Sequence, residues 1–358
     1  MSIPYLTVTE RDRQFFTDHI RGRLPADVVD IHAHTWLRSF ERASLGGAPP
    51  RANDWARLAA RDNPLEVLSD TYRSLLPGVR TQAAVFGFPA PDIDVASSND
   101  YVATQAPLFG YFPIALTRPE WSAEALVRML DRGRFIGSKV YLEFAAHGIP
   151  LERMRIFDFA PHHQLEVLNE RHAVLILHIP RSGRLADPQN VQDLLALARH
   201  YPDIQAVVAH VGRAYCLEDI GDAFDRLAGE TSLLFDTSAN CNAGVIAEAW
   251  RRVGPTRLLF GSDMPITRMK LRRVCRDGTY VNFVRKGVLG DLAHISHMQG
   301  VDGEEADSLT YFLYEEIAAI LRAADDLEAS TADLYALFAA NAKRVLHIAE
   351  SIYVSQGA

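Results

Sequence analysis

VVDIHAHTW, residues 28–36, is an apolar run that breaks at Asp30 and then alternates Ile31 and Ala33 with His32 and His34. Side chains two apart on a strand share a face. If the stretch stays extended, both imidazoles project together, close enough to share an ion. A pair of hydrogen-bonded core histidines would leave the same trace, so the rest of the chain must decide between them.

Further apolar runs follow, most of them separated by helical patterns. They are DVVDI (27–31), QAAVFGF (82–88), GYFPIAL (110–116), GSKVYLEF (137–144), AVLILH (173–178), IQAVVAH (204–210), SLLFDTS (232–238) and RLLFGSD (257–263). Several are nearly continuous in Val, Ile, Leu and Phe, as suits strands covered on both faces in a parallel sheet. Between them lie helical stretches at 119–133, 188–201 and 243–254, with Pro119 and Pro188 at their starts and Gly133 and Gly254 at their ends. A helix over Thr9–Arg23, capped by Thr9, precedes the first strand. Eight strands alternating with helices predict an α/β fold, a (β/α)₈ TIM barrel formed by residues 1–358 as one domain. An open doubly wound sheet is the alternative, but no G-x-G-x-x-G follows the first strand. Two segments exceed the pattern: a polar loop at 36–63 after the first strand, and 264–306 after the eighth. The second is an insertion expected to act as a lid or an interface, ahead of final helices near 308–325 and 331–349.

Composition narrows the classes. The chain has 358 residues, 48% hydrophobic and 23% charged, as in a globular protein able to bury its own core. A net charge of −8 argues against a general nucleic-acid or anionic-membrane binder. The first residues lack a signal-peptide pattern, and no apolar run is long enough to span a bilayer. Cys216, Cys241 and Cys275 are scattered, odd in number and without zinc spacing, so free thiols in a reducing cytoplasm are expected.

Chemistry emerges when the strand ends are taken together. The first run ends in His32 and His34, the fifth in His178, the sixth in His210 and the eighth in Asp263. In a barrel these ends open onto one face, where active sites lie. The order His-x-His, His, His, Asp resembles the amidohydrolase superfamily, and details narrow it to amidohydrolase family 2, a branch of metal-dependent hydrolases and decarboxylases. DIHAHTW resembles that branch's opening motif, LLFGSDMP its GSD-x-P strand, and LFAANAKRVLHI (337–348) its final-helix signature. The similarity runs from residue 27 to about 348. It implies that His32, His34, His178 and Asp263 hold one divalent ion, with His210 beside it as an acid–base group and Asp263 also accepting a proton from water. Neutral imidazoles and a carboxylate suit Zn²⁺, with Mn²⁺ the other candidate. Such an ion lowers the pKa of a bound water to about 7.

Binuclear members of the superfamily bridge two metals with a carboxylated lysine on strand four. Lys139 is the only candidate, but it precedes VYLEF, which places it near the strand entrance with its stem packed and its ammonium at the opposite rim. Glu143 lies nearer the functional end. Asp236 closes strand seven, either to orient His210 through an outer hydrogen bond or to cap the next turn. Asp30 either supports His32 or ends its strand. Arg181, Arg184 and Arg213 follow ligand-bearing ends and suit a substrate carboxylate, with Arg213 first because two residues separate it from His210. The basic run 268–278 is expected to be a solvated or interface face, as are His294 and His297, while His162 and His163 open a helix.

The expected activity is metal-assisted hydrolysis of an ester, lactone or amide in a small carboxylated substrate. Non-oxidative decarboxylation of an aromatic or unsaturated acid on the same ligands comes second. A non-catalytic barrel comes last, since no ligand is missing. The expected partners are that small molecule and a second copy of the chain in a homodimer, not nucleic acid or membrane.

Overall fold

The computed structural model describes residues 6–42, 57, 60–290 and 295–347. Barrel strands β1 (Asp27–His34) and β2 (Arg80–Phe86) pair in parallel, and β2 pairs with β3 (Phe112–Pro113). β4 (Ala115–Leu116) continues the third run and opens a six-stranded parallel ladder. That ladder adds β5 (Gly137–Val140), β6 (Val174–Leu177), β7 (Gln205–Val208), β8 (Leu233–Asp236) and β9 (Leu258–Leu259). The two sheets join through Ile114, whose N–H donates to the Val85 carbonyl at 3.0 Å. The chain after β9 returns to β1: Ile31 donates to Phe260, Asp263 to His32 and His34 to Met264, at 2.7–2.9 Å.

Burial follows strand parity. Val29, Ile31, Ala84, Phe86, Leu116, Ile176, Val207, Leu234 and Leu259 form one apolar cluster inside the ring of strands. Their alternates, including Val28, Val85, Val140, Leu177, Val208, Phe235 and Leu258, pack in the layer beneath the helices. Extending the inner parity by two residues reaches His178 from Ile176 and Asp236 from Leu234. Lys139 precedes the outward-packed Val140, and Asp263 stands four residues beyond Leu259. β1 needs a correction to its parity, since Ile31 already faces inward. Between Asp30 and Ala33 its register against β2 shifts, and this bulge re-aims His32 and His34 toward the mouth.

Helices start where side chains can satisfy their free N–H groups. Thr9 and Asp12 form a reciprocal cap ahead of Glu10–His19, a device typically contributing about 1 kcal/mol. Ser122, Asp187 and Asn242 cap Ala123–Gly133, Pro188–His200 and Ala243–Val253. The final helices are Phe312–Asp326 and a stretch that begins at Thr331 and includes a π-turn over Ala336–Ala340.

Residues 264–306 are not a plain loop. They fold into β10 (Leu271–Arg276) and β11 (Thr279–Arg285), an antiparallel hairpin, with β12 (Met298–Val301) parallel to β11. Asp277 and Gly278 make the turn, both with positive φ (51° and 72°), the geometry an Asp-Gly pair favours. The hairpin corrects the cysteine expectation. It carries Cys275 onto Cys216, 59 residues earlier, and the two form a disulfide; only Cys241 is free. Free thiols therefore no longer support a reducing compartment. Among the described residues, no helix is long and apolar enough to cross a membrane. His294 and most of 43–59 lie outside the described residues.

Candidate metal centre and cavity

The strand ends surround a cavity of about 520 Å³ lined by His32, His34, His178, His210 and Asp263, together with Lys139 and Arg213. Ligand atoms of His32, His34 and Asp263 lie within 4.8 Å of one another. Glycine is required beneath them, because a Cβ on Gly261 would sit 2.9 Å from that of His32.

Hydrogen bonds fix the ring nitrogens. His34 Nδ1 donates to the Gly87 carbonyl at 3.2 Å, so its Nε2 turns a lone pair toward Asp263 Oδ1, 3.1 Å away. His32 Nδ1 donates to Asp236 Oδ2 at 2.9 Å, leaving its Nε2 3.7 Å from the same Asp263 oxygen. Burial alone would raise the Asp263 carboxyl, but the His34 contact and the nearby His210 and His32 outweigh it and hold it at about 2. Burial lowers His32 to about 3, with Lys139 acting in the same direction and Asp236 opposing it. Two imidazole nitrogens facing one carboxylate oxygen are satisfied by a proton or by a cation in its place, and this donor set suits zinc or manganese.

His178 shares the cavity but stands outside the group of ligand atoms within 4.8 Å. Among the described residues its Nδ1 is buried without a hydrogen-bond partner, and burial, then Arg213 and His210, keep the ring neutral. An uncharged imidazole with an orphaned nitrogen suits a ligand. His210 follows Ala209, where strand parity would turn it outward. Positive φ at His210, Val211, Gly212 and Arg213 (58°, 49°, 62° and 59°) swings the chain left-handed and returns the ring to the cavity. A Cβ on Gly212 would meet Leu185 at 2.5 Å, so no larger residue fits that turn. His210 Nδ1 faces the Ser238 carbonyl at 3.1 Å and the Ser238 Oγ at 2.8 Å, leaving Nε2 for the cavity.

Asp236 takes a different partner from the one expected. Its Oδ2 orients the His32 ring, while Oδ1 accepts the backbone N–H groups of His210 and Ser238 at 2.8 and 3.1 Å. Asp30 does support His32, by accepting its N–H at 2.8 Å; it also binds Ser262 N–H at 2.9 Å and Tyr72 Oη at 2.5 Å. Burial pushes the Asp30 carboxyl up to about 7.

The placement of Lys139 is corrected outright. β5 ends at Val140 rather than near residue 144, so Lys139 is next to last and points inward. It is buried, its Nζ 3.5 Å from His32 Nε2 and 5.0 Å over the Phe86 ring. Burial lowers its pKa to about 8, against the pull of Asp236 and Asp263. Its assignment to the opposite rim therefore falls. Glu143 also lines the cavity, from a short turn over Leu142–Phe144.

Of the three arginines after strand ends, only Arg213 is among the cavity-lining residues. Its Nη1 donates to the carbonyls of Ile179, Pro180 and Arg181 at 3.2–3.3 Å. Arg181 donates to Met154 O, and Arg184 pairs with Asp219 at 2.5 Å. The outer wall instead comes from Tyr215, Arg273, Tyr280 and His297. Arg273 and His297 contradict the solvated or interface face expected of 268–278 and of the histidine. Arg268 is fully buried as well. The signal was present: Asp-Gly flanked by alternating residues marks a hairpin, and hairpin parity puts Leu271, Arg273 and Cys275 on one face.

A family model described as amidohydrolase matches residues 29–274. No curated protein matches. Among solved structures, a probable 2-pyrone-4,6-dicarboxylic acid hydrolase from Acinetobacter baumannii with citric acid bound is 14% identical (TM-score 0.54; 89% of this chain, 99% of that one). An amidohydrolase from Burkholderia multivorans with bound zinc is 15% identical (TM-score 0.53; 89% and 99%). A dihydroxybenzoic acid decarboxylase from Polaromonas, with manganese and 2-nitroresorcinol, is also 15% identical (TM-score 0.51; 90% and 96%). At these identities the likeness is one of fold.

Proposed function

Because the chain belongs to the amidohydrolase family over residues 29–274, we propose that it is a metal-dependent enzyme hydrolysing an ester, lactone or amide bond in a small carboxylated substrate. The observation that carries this is the lone pair of His34 Nε2 set 3.1 Å from an ionised Asp263, with the other ring nitrogen committed to a carbonyl. His32, His34, His178 and Asp263 would hold one divalent ion, zinc or manganese. When bound, it supplies Lewis acidity that makes water a usable nucleophile at neutral pH.

The chain's own groups do the rest. Asp263, ionised at neutral pH, accepts the proton of the attacking water. His210, oriented through Nδ1 by Ser238, presents Nε2 to the scissile bond as an acid–base group. Lys139 adds positive charge where a substrate oxygen develops negative charge. Arg213, with a fork only partly used by backbone carbonyls, takes the substrate carboxylate.

Decarboxylation on the same ligands is the second reading. An ionised Asp263 supports hydrolysis more directly, since it is ready to accept a proton, whereas decarboxylation needs a donor to the carbon losing CO₂. The test is metal analysis of the purified protein, followed by a screen of carboxylated lactones and aromatic acids for acid release or CO₂ release. Ring opening with one metal per chain is expected. CO₂ release without hydrolysis would move the assignment to a carboxy-lyase, and two metals per chain would give Lys139 a bridging role.

A further inference from the structure

The hairpin turns one guanidinium toward the cavity without giving it an acidic partner among the described residues. Arg273 lies on β10 and lines the same cavity as His32 and Asp263. Its Nε donates to Asn282 Oδ1 at 2.8 Å and its Nη1 to the Ala239 carbonyl at 2.5 Å. Among the described residues Nη2 has no acceptor, and no carboxylate lies within ion-pair distance. Arg184, which shares its aromatic neighbours Tyr215 and Tyr280, differs on this point, being neutralised by Asp219.

Three rings hold the guanidinium: its carbon is 4.3 Å from the centroid of Tyr215, 4.7 Å from Tyr280 and 4.8 Å from Phe312. Crowded by rings, the group is left to bind through its Nη2 edge. The surroundings are fixed from both sides. Ala239 gives its carbonyl to Arg273 and its N–H to buried Glu316 at 3.0 Å. Cys275, two residues along the same strand face, is bonded to Cys216, the neighbour of Tyr215.

We propose that Arg273 is a specificity-determining residue: its free edge takes an acidic group of a substrate held in the cavity, and the rings and the Cys216–Cys275 bond hold it in register. This builds on the carboxylated-substrate function above and adds a second reader of negative charge, supplied by the hairpin rather than by a strand end. A planar carboxylate is the ligand class, since its oxygens can lie in the plane of the guanidinium.

The test uses the best acidic substrate from the screen and its carboxamide analogue, with wild type, Arg273→Met, Arg273→Lys and Arg213→Met, each checked for metal content and thermal unfolding. Arg273→Met is expected to raise KM for the acid roughly ten- to a hundredfold, as for a lost charge-assisted hydrogen bond, with kcat nearly unchanged. The carboxamide should be affected far less, and Arg273→Lys should recover part of the loss. Equal losses on acid and carboxamide would make Arg273 a structural pin and overturn the proposal. So would Arg213→Met abolishing the discrimination while Arg273→Met keeps it, an outcome that leaves the proposed function standing. A best substrate without an acidic group would overturn the proposed function itself. Reduction of the disulfide by a water-soluble trialkylphosphine, which takes an oxygen from water and becomes the phosphine oxide as the two thiols form, should raise KM for the acid in the same direction without metal loss. An unchanged KM in the fully reduced protein would remove the disulfide from the proposal.

Discussion

The barrel rim and the 264–306 segment both line one cavity, but each side chain is placed by different physics. At the rim, His178 and Asp236 continue inward-facing rows that begin in the apolar interior, while a bulge in β1 and the left-handed turn after β7 bring in His32, His34 and His210. A row of that kind is rigid because packed layers lie on both of its faces. In the hairpin, Arg273 and Tyr280 sit on a sheet of only three strands, held by cation–π contacts, one disulfide and a few hydrogen bonds. Under the proposed function, the ligand and acid–base positions of the rim should therefore govern whether chemistry occurs, and the hairpin, together with Arg213, which molecule undergoes it.

The largest expected effect would break that division if it failed. His178→Ala should lose both bound metal and activity, while His210→Ala should keep the metal and lose roughly 10²–10⁴-fold in kcat, as for a missing acid–base group. Elemental analysis of the two variants beside their rates checks this, and equal metal loss would make His210 a ligand. Next is Asp236→Asn, which weakens the carboxylate that orients His32 and receives the His210 N–H. Metal affinity should fall roughly 10–100-fold, readable by competition with a chelator.

A smaller effect sharpens the hairpin side. Burial, then Arg273 and Arg184, hold His297 down at about 4, so the native state keeps it neutral where the unfolded chain protonates near 6.5. Its contribution to stability is intact above pH 6.5 and lost as pH falls toward 4. Allowing for partial exposure, His297→Gln should shrink the difference in unfolding free energy between pH 7 and 4.5 by about 1 kcal/mol, measured in urea. Smallest of all, Arg285→Ala removes an exposed pair with Asp307 and should shift stability by less than about 0.5 kcal/mol with KM unchanged. A large change in KM there would mean that the outer face of the hairpin also governs selection.

Legibility in the sequence divides along the same line. All eight apolar runs contribute barrel strands, because continuous Val, Ile and Leu at strand length can only be buried on two faces. The gathering of His32, His34 and Asp263 was readable for the same reason: each stands at the end of such a run. Lys139 was misplaced because GSKVYLEF reads as one long strand, whereas the chain leaves the ladder after Val140 and turns at Leu142–Phe144. The ring partner of Asp236 depends on the bulge in β1, which no apolar pattern announces. Cys216 and Cys275 carry no spacing signal, since only the return of the hairpin brings residues 59 apart together. Asp277-Gly278 did carry one, and it would have revealed the inner face of β10.

The left-handed turn from His210 to Arg213 has a consequence for homologous substrates. Its four residues all have positive φ, one of them a β-branched valine, and such a conformation persists only where its surroundings dictate it. The backbone positions that carry the proposed acid–base ring and the proposed carboxylate-binding guanidinium are thus held at a fixed separation. Under those proposed roles, a substrate with one methylene more or less between its reacting bond and its carboxylate should fit less well. Chain-length selectivity would then depend on this backbone turn as well as on the two side chains it carries.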